Sequence, residues 1–379
     1  MGDIVKDVIN KLDYNVLSIT EYPVGLDHRV QEVIRFIERT KNSCRIGIWG
    51  MGGSGKTTIA KAIYNKLHRL FDNKSCIEDI REVCQTERRG LVRLQEKLLS
   101  DVLKAKVEIQ SVGIGQSMID NRFIGKRALI VLDDVNEFDQ LEALCGNTQW
   151  IGEASVIIIT TSDLHLLKRF EVDYVYEMKE MEANESLELF SWHAFREAKP
   201  REDFNELAKK AVDYCGGLPL ALEVLGSYLR KRTVTEWRSV LSKLKISLNA
   251  QVQAKLRISF ENLLDQMEKD IFLDVCCVFI GKDRGCVTEV LNGCGLYADI
   301  GITVLLERSL IKVEKNNKLI MHPLLRDMGR EIIREGSRKE PGKCSRLWFQ
   351  EDVRDVLTNS TVSTLFTYIF KLERVCLNM

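Results

Sequence analysis

The sequence holds only five prolines in 379 residues and has no charge excess, 55 Lys plus Arg standing against 55 Asp plus Glu. The first count argues against an extended or low-complexity chain. The second removes any broad field that would draw nucleic acid or an anionic membrane. The basic triplet Arg230-Lys231-Arg232 reads as a solvated helix end. None of the eleven cysteines forms a Cys-x-x-Cys pair, and the five histidines lack zinc spacing. Cys276 and Cys277 fall in an apolar helical run, so they read as buried thiols of a reducing compartment. No apolar run approaches the roughly 20 residues needed to span a bilayer. Residues 1–10 hold no secretory apolar segment, and Lys6 stands where a myristoylation signal has Ser or Thr. The expected location is the cytoplasm, with the nucleus left open, and no membrane partner is expected.

What is present is an ordinary globular composition, 45% hydrophobic and 29% charged, long enough for two or three domains of roughly 150 residues each. From Arg45 to Tyr176 short β-branched runs alternate with helical stretches. Arg45–Trp49, Ser75–Ile77, Ala128–Leu132 and Ser155–Thr160 read as strands, and Lys56–Leu70 and Leu91–Leu103 as helices. The continuous apolar runs mark strands buried on both faces, and the alternation predicts an α/β fold with a doubly wound parallel sheet. Helical spacing then takes over at Leu187, Phe190 and Ala194, at Leu207, Ala211 and Tyr214, and from Leu220 to Leu229, with Pro219 opening that last helix. Further on, helices at Gln253–Phe260, Gln266–Phe279 and Val287–Cys294 precede two alternating segments, Leu310–Val313 and Leu319–Met321, around an Asn-rich turn. Helices followed by a hairpin predict a winged-helix domain.

The chemistry sits at the strand ends. Gly50-Met51-Gly52-Gly53-Ser54-Gly55-Lys56-Thr57 satisfies the phosphate-binding pattern G-x-x-x-x-G-K-[ST]. Glycines let successive N–H groups turn onto phosphate oxygens, and the helix that opens at Lys56, with Thr57 and Thr58, presents its positive end to the anion. Lys56 reaches the β- and γ-phosphates and Thr57 offers a hydroxyl to Mg²⁺. Four fixed positions arise by chance in only about 1% of chains this long, and here the motif also follows a strand and opens a helix. The strand Ala128–Leu132 ends in Asp133-Asp134. Asp133 is the expected Mg²⁺ ligand and Asp134 a candidate base for water. Thr160-Thr161-Ser162 ends the next strand, where hydroxyls face a ligand or make turn contacts. The expected ligand is ADP or ATP with Mg²⁺. His322, a lone histidine after the hairpin, has no role that spacing alone assigns.

In order along the chain, these motifs resemble the NB-ARC region of plant disease-resistance proteins. The subclass is the one that carries a Toll/interleukin-receptor (TIR) domain and leucine-rich repeats. The resemblance is carried by Pro23–Val30, the loop region Gly47–Asn65, Asp79-Ile80-Arg81-Glu82-Val83, Leu129–Asn136, Ile157–Thr161 and Leu187–Phe195. It continues through Cys215-Gly216-Gly217-Leu218-Pro219-Leu220-Ala221-Leu222, Lys269–Asp274, Met321-His322 and Leu324–Glu331. The resemblance implies a P-loop domain over 23–178, a helical domain over 179–248 and a winged-helix domain over 249–336. Residues 1–22 then resemble the linker after a TIR domain, and 337–379 a linker with a divergent tail, so the chain looks shortened at both ends. It further implies an ADP/ATP switch whose exchange of nucleotide leads to self-association and defence signalling, with other immune receptors as partners and slow ATP hydrolysis at most. Val24 and Gly25 would lie near adenine, Pro219 would touch the nucleotide, and His322 would reach the ADP β-phosphate. Ser162 stands where the family usually has an Arg that senses the γ-phosphate, and Pro323 where it usually has an Asp.

Two rival readings are a P-loop turnover NTPase or kinase and a DNA-binding winged-helix regulator. The first lacks a second catalytic constellation for an acceptor. The second lacks a basic stripe, because the wing Glu314–Lys318 carries mixed charge.

Overall fold

Alternation of side-chain direction along each strand explains the sheet. The computed structural model describes residues 16–40, 42–146, 154–244, 249–335 and Arg346. The chain divides into two units, one up to Gly50 with Ser54–Lys179, the other Met51–Gly53 with the chain from Glu180. The first unit runs α1 (Leu26–Arg39), β1 (Cys44–Trp49), α2 (Lys56–Leu67), β2 (Asn73–Ile77), α3 (Ile80–Thr86), α4 (Gly90–Leu103) and α5 (Val112–Arg122). It then continues β3 (Ala128–Val135), α6 (Phe138–Cys145), β4 (Val156–Thr161), α7 (Leu164–Arg169) and β5 (Tyr174–Glu177). The sheet order is β2-β3-β4-β1-β5 and every pairing is parallel. Ile130, Leu132, Ile157 and Ile159 pack into one core with Leu98 and Leu99 of α4. Their neighbours Leu129, Val131 and Ile158 pack into another with Ile46, Ile48, Ile59 and Ile63. Both faces are covered, which is why these strands read as unbroken apolar runs. All strands point the same way, so the ends of β1, β3 and β4 share one edge of the sheet.

The second unit holds α8 (Ala183–Phe195), α9 (Asn205–Cys215), α10 (Pro219–Leu229), α11 (Val234–Leu244), α12 (Ala250–Glu261), α13 (Gln266–Asp274), α14 (Arg284–Gly293), α15 (Ala298–Glu307), β6 (Lys312–Val313), β7 (Leu319–Ile320) and α16 (Pro323–Glu335). Trp237 of α11 is 1% exposed and stacks on Phe195 at 5.5 Å, and its indole N–H donates to the Leu229 carbonyl at 3.0 Å. This aromatic cluster ties α8, α10 and α11 together. β6 and β7 pair antiparallel as the expected wing, and Asn317 supplies the left-handed residue of the turn with φ 62°. The helix expected over 266–279 changes pitch: α13 gives way to a π-helical turn at Val275–Phe279. Cys276 is fully buried there, in keeping with its reading as a buried thiol, while Cys277 is half-buried.

A buried ion pair closes this unit. The Arg346 guanidinium donates to Asp274 Oδ1 at 2.6 Å and to Asp270 Oδ1 at 3.0 Å. The expected boundary at 248 and the expected linkers at 1–22 and 337–379 fall wholly or mostly outside the described residues. No helix among the described residues is long and apolar enough to cross a membrane.

Candidate functional site

β1 ends at Trp49, and Gly55 caps α2 in the left-handed region with φ 93°, a conformation that glycine adopts without strain. Lys56 is therefore the first residue of α2. Its side chain is 9% exposed, and Nζ donates to the Gly50 carbonyl at 2.8 Å. Burial pulls the ammonium down to about 8. Asp134 and Asp133 act against that shift, and Arg81 adds to it. The Ser54 hydroxyl is buried with no hydrogen-bond partner. A buried cation folded onto its own loop, an unmatched hydroxyl and the N-terminus of a helix form a cradle for an anion.

Asp133 and Asp134 owe their placement to an irregularity in β3. Leu132 pairs with Ile159 and Val135 with Thr161, so β3 spends three steps where β4 spends two. The inserted residue is Asp134, with φ 59°. Adjacent residues of a regular strand face opposite sides of the sheet, and a bulge releases one of them from that rule. Asp133 is 3% exposed and accepts from Thr57 Oγ1 at 2.9 and 3.0 Å and from Thr160 Oγ1 at 2.6 Å. Burial pushes its carboxyl up, and the two hydroxyls hold it back. Thr160 Oγ1 also accepts from the Asp134 N–H at 2.9 Å, which fixes the bulge. The Asp134 carboxylate pairs with Arg81 Nη2 at 2.7 Å.

Thr57, Asp133 and Asp134 thus converge with Lys56 at one sheet edge. Thr161 is fully buried and its hydroxyl accepts from the Asp163 N–H at 3.0 Å, the turn contact that was one of its two expected roles. Val24 and Gly25 precede α1, and Gly25 caps it with φ 65°. Arg81, which the sequence offered only as a letter in a longer motif, is the residue that spacing did not single out. It is the second residue of α3, the helix that follows the strand neighbouring β3.

In the second unit, Pro219 opens α10 as its first residue. The His322 ring spans two elements. Nε2 donates to the Gly216 carbonyl at 3.0 Å, and Nδ1 accepts from the Leu324 N–H at 3.2 Å, so the imidazole caps α16. A Cβ at residue 216 would lie 2.7 Å from that ring, so only glycine fits there. Burial lowers the His322 pKa, in keeping with a neutral ring. Pro323 occupies the first turn of α16, where its missing N–H costs nothing.

The sheet order, the loop after β1 and the Asp pair after β3 define a P-loop nucleoside-triphosphatase fold. The Walker-type ATPase of Pyrococcus abyssi superposes with a TM-score of 0.56 over 84% of this chain and 99% of that one, at 14% identity. Residues 26–199 match the NB-ARC domain, and residues 265–337 match the winged-helix domain described as Roq1-like from disease resistance protein. The chain is 42% identical over 383 residues to the disease resistance protein RUN1 of Vitis rotundifolia, covering 99% of this chain and 28% of that protein. It is 37% identical over 366 residues to the TMV resistance protein N of Nicotiana glutinosa, covering 94% of this chain and 31% of that protein. The chain belongs to the NB-ARC family of plant TIR-type disease-resistance proteins, and its NB-ARC domain is a nucleotide-binding module. It spans less than a third of the length of these relatives.

Proposed function

We propose that this chain is the nucleotide switch of an intracellular plant immune receptor, with ADP held in a resting state and exchange for Mg²⁺–ATP leading to self-association and defence signalling. Its working parts are the P-loop domain over 23–178, a helical domain over 179–248 and the winged helix over 249–336. The observation that carries this reading is the cradle itself, in which buried Lys56 and the unmatched Ser54 hydroxyl stand beside the Thr57–Asp133–Thr160 web. The residues suit the ion as well. Mg²⁺ takes hard oxygen donors, and the Thr57 hydroxyl and Asp133 carboxylate stand together, the first donating to the second at 2.9 and 3.0 Å. Thr57 and Asp133 would hold the ion, which would supply positive charge to offset that of the phosphates. Lys56 then binds phosphate in place of the Gly50 carbonyl, and Val24 and Gly25 flank the base.

The test is mass spectrometry of nucleotide released from the purified protein, with ADP near one per chain as the expected result. An empty protein with fast multiple turnover would instead favour a metabolic NTPase or kinase. Asp133→Ala is expected to weaken Mg²⁺-dependent ATP binding about tenfold more than ADP retention, because its carboxylate acts through the metal. Calorimetry with each nucleotide, with and without Mg²⁺, checks this, and equal losses would remove Asp133 from the metal site.

A further inference from the structure

We propose that Arg81 is the γ-phosphate sensor of this chain. It holds Asp134 in an ion pair while no γ-phosphate is present, and it moves to the γ-phosphate when ATP binds, which frees the carboxylate. This rests on the ADP/ATP reading above and deepens it.

The placement comes from the sheet. β2 lies beside β3 in parallel register up to Ile77 opposite Leu132, so the turn after β2 sits beside the bulge after Leu132. α3 begins at Ile80 in that turn, and Arg81 reaches across to Asp134 at 2.7 Å. The other cations near the Asp pair are already engaged. Lys56 lies on the Gly50 carbonyl, and Lys61 pairs with Glu78 at 2.5 Å. Ser162, at the end of β4, brings no charge. Arg81 is also close enough to Lys56 for its charge to oppose the ammonium.

The two partners differ in freedom. The Asp134 backbone is pinned by Thr160 inside the bulge, so its carboxylate stands on a fixed base. Arg81 has a long side chain, 20% exposed against 28% for Asp134, so the pair is neither sealed in the core nor fully in water. A guanidinium binds phosphate through a fork of donors, an advantage over a single carboxylate contact once three phosphate oxygens are available. ADP ends one phosphate short and leaves the pair intact.

The test compares the full chain with Arg81→Gln and Asp134→Asn, using Mg²⁺ with ADP and with a non-hydrolysable ATP analogue, and Lys56→Ala as control. Arg81→Gln is expected to lower the affinity for the ATP analogue at least tenfold more than that for ADP. Asp134→Asn, which leaves Arg81 unclaimed, is expected to shift the ratio the opposite way by several-fold. Opposite shifts are the signature, because a merely structural pair would move both nucleotides together. Asp134→Asn carries the test alone if circular dichroism shows that Arg81→Gln does not fold. If both variants leave the ratio unchanged while Lys56→Ala loses both nucleotides, the sensor role is overturned and the nucleotide site stands. If Lys56→Ala still binds both, the sensor proposal and the switch reading fall together.

Discussion

Lys56→Ala protein is expected to purify without nucleotide, its ADP affinity lowered by at least about 100-fold, since each hydrogen bond to a charged group contributes about 1.5–3 kcal/mol. The ammonium is buried and donates to the Gly50 carbonyl, a partner that phosphate oxygens readily replace. The wild-type pH profile supplies an independent check. In the empty protein burial pulls Lys56 from 10.5 down to about 8. Bound phosphate favours the charged form, so binding takes up a proton above that pH, and affinity falls by up to about tenfold per unit. Stability of the empty protein moves the other way. Between about 8 and 10.5 the unfolded chain binds more protons at this site than the folded one, so stability rises with pH there. Calorimetric titrations at pH 7, 8 and 9 and thermal melts of empty protein read the two trends. Nucleotide content in Lys56→Ala equal to that of wild type would remove the site altogether.

Arg346→Ala is expected to destabilise the second unit by about 3–5 kcal/mol, because removing one partner leaves a buried charge uncompensated. At the usual ratio this lowers the melting temperature by about 10 °C or more. Asp274 is 2% exposed, its Oδ2 has no partner, and its other oxygen accepts from Arg346. Burial already raises the Asp274 pKa despite the guanidinium, and without Arg346 the rise is larger. A carboxyl raised in the folded state binds more protons there than in the unfolded chain, so the variant loses stability as pH rises above the ordinary carboxylate range. The deficit is therefore smallest in acid. Adding Asp274→Asn to Arg346→Ala is expected to recover much of the loss. Scanning fluorimetry from pH 4.5 to 8 reads both effects, and a pH-independent melting temperature close to wild type would show that the pair contributes nothing.

How far sequence reasoning reached follows from physical signal strength. The parallel sheet was legible because Leu129–Leu132 and Ile157–Ile159 are buried on both faces, and two-sided burial leaves an unbroken apolar run. The wing was legible from alternation around an Asn-rich turn. α5 was not, since only Gly115 and Ile119 are buried in it and no apolar stripe forms. α15 did carry Ala298, Ile302 and Leu305 at helical spacing, but no Ser, Thr, Asp or Asn cap announces it; Tyr297 precedes it in the left-handed region with φ 47°. Lys56, Thr57 and Asp133 stood out because phosphate and metal chemistry demands their types at fixed spacing. Arg81 did not, because an arginine gains its meaning from the strand beside it, and strand order is not written in linear spacing. The capping role of His322 was hidden for a related reason: its two ring contacts join Gly216 and Leu324, which lie 106 and 2 residues away.

The bulge in β3 makes chain length, rather than residue identity, the guarded quantity between Leu132 and Val135. Swapping the side chain at 134 removes a carboxylate but leaves the extra step in place, and Asp133 still meets Thr57 and Thr160. Losing one codon there would restore the two-for-two register and hand the surviving aspartate a single choice of face. Substitution and deletion at this spot therefore differ in kind, the first altering one function and the second dismantling the edge that several functions share.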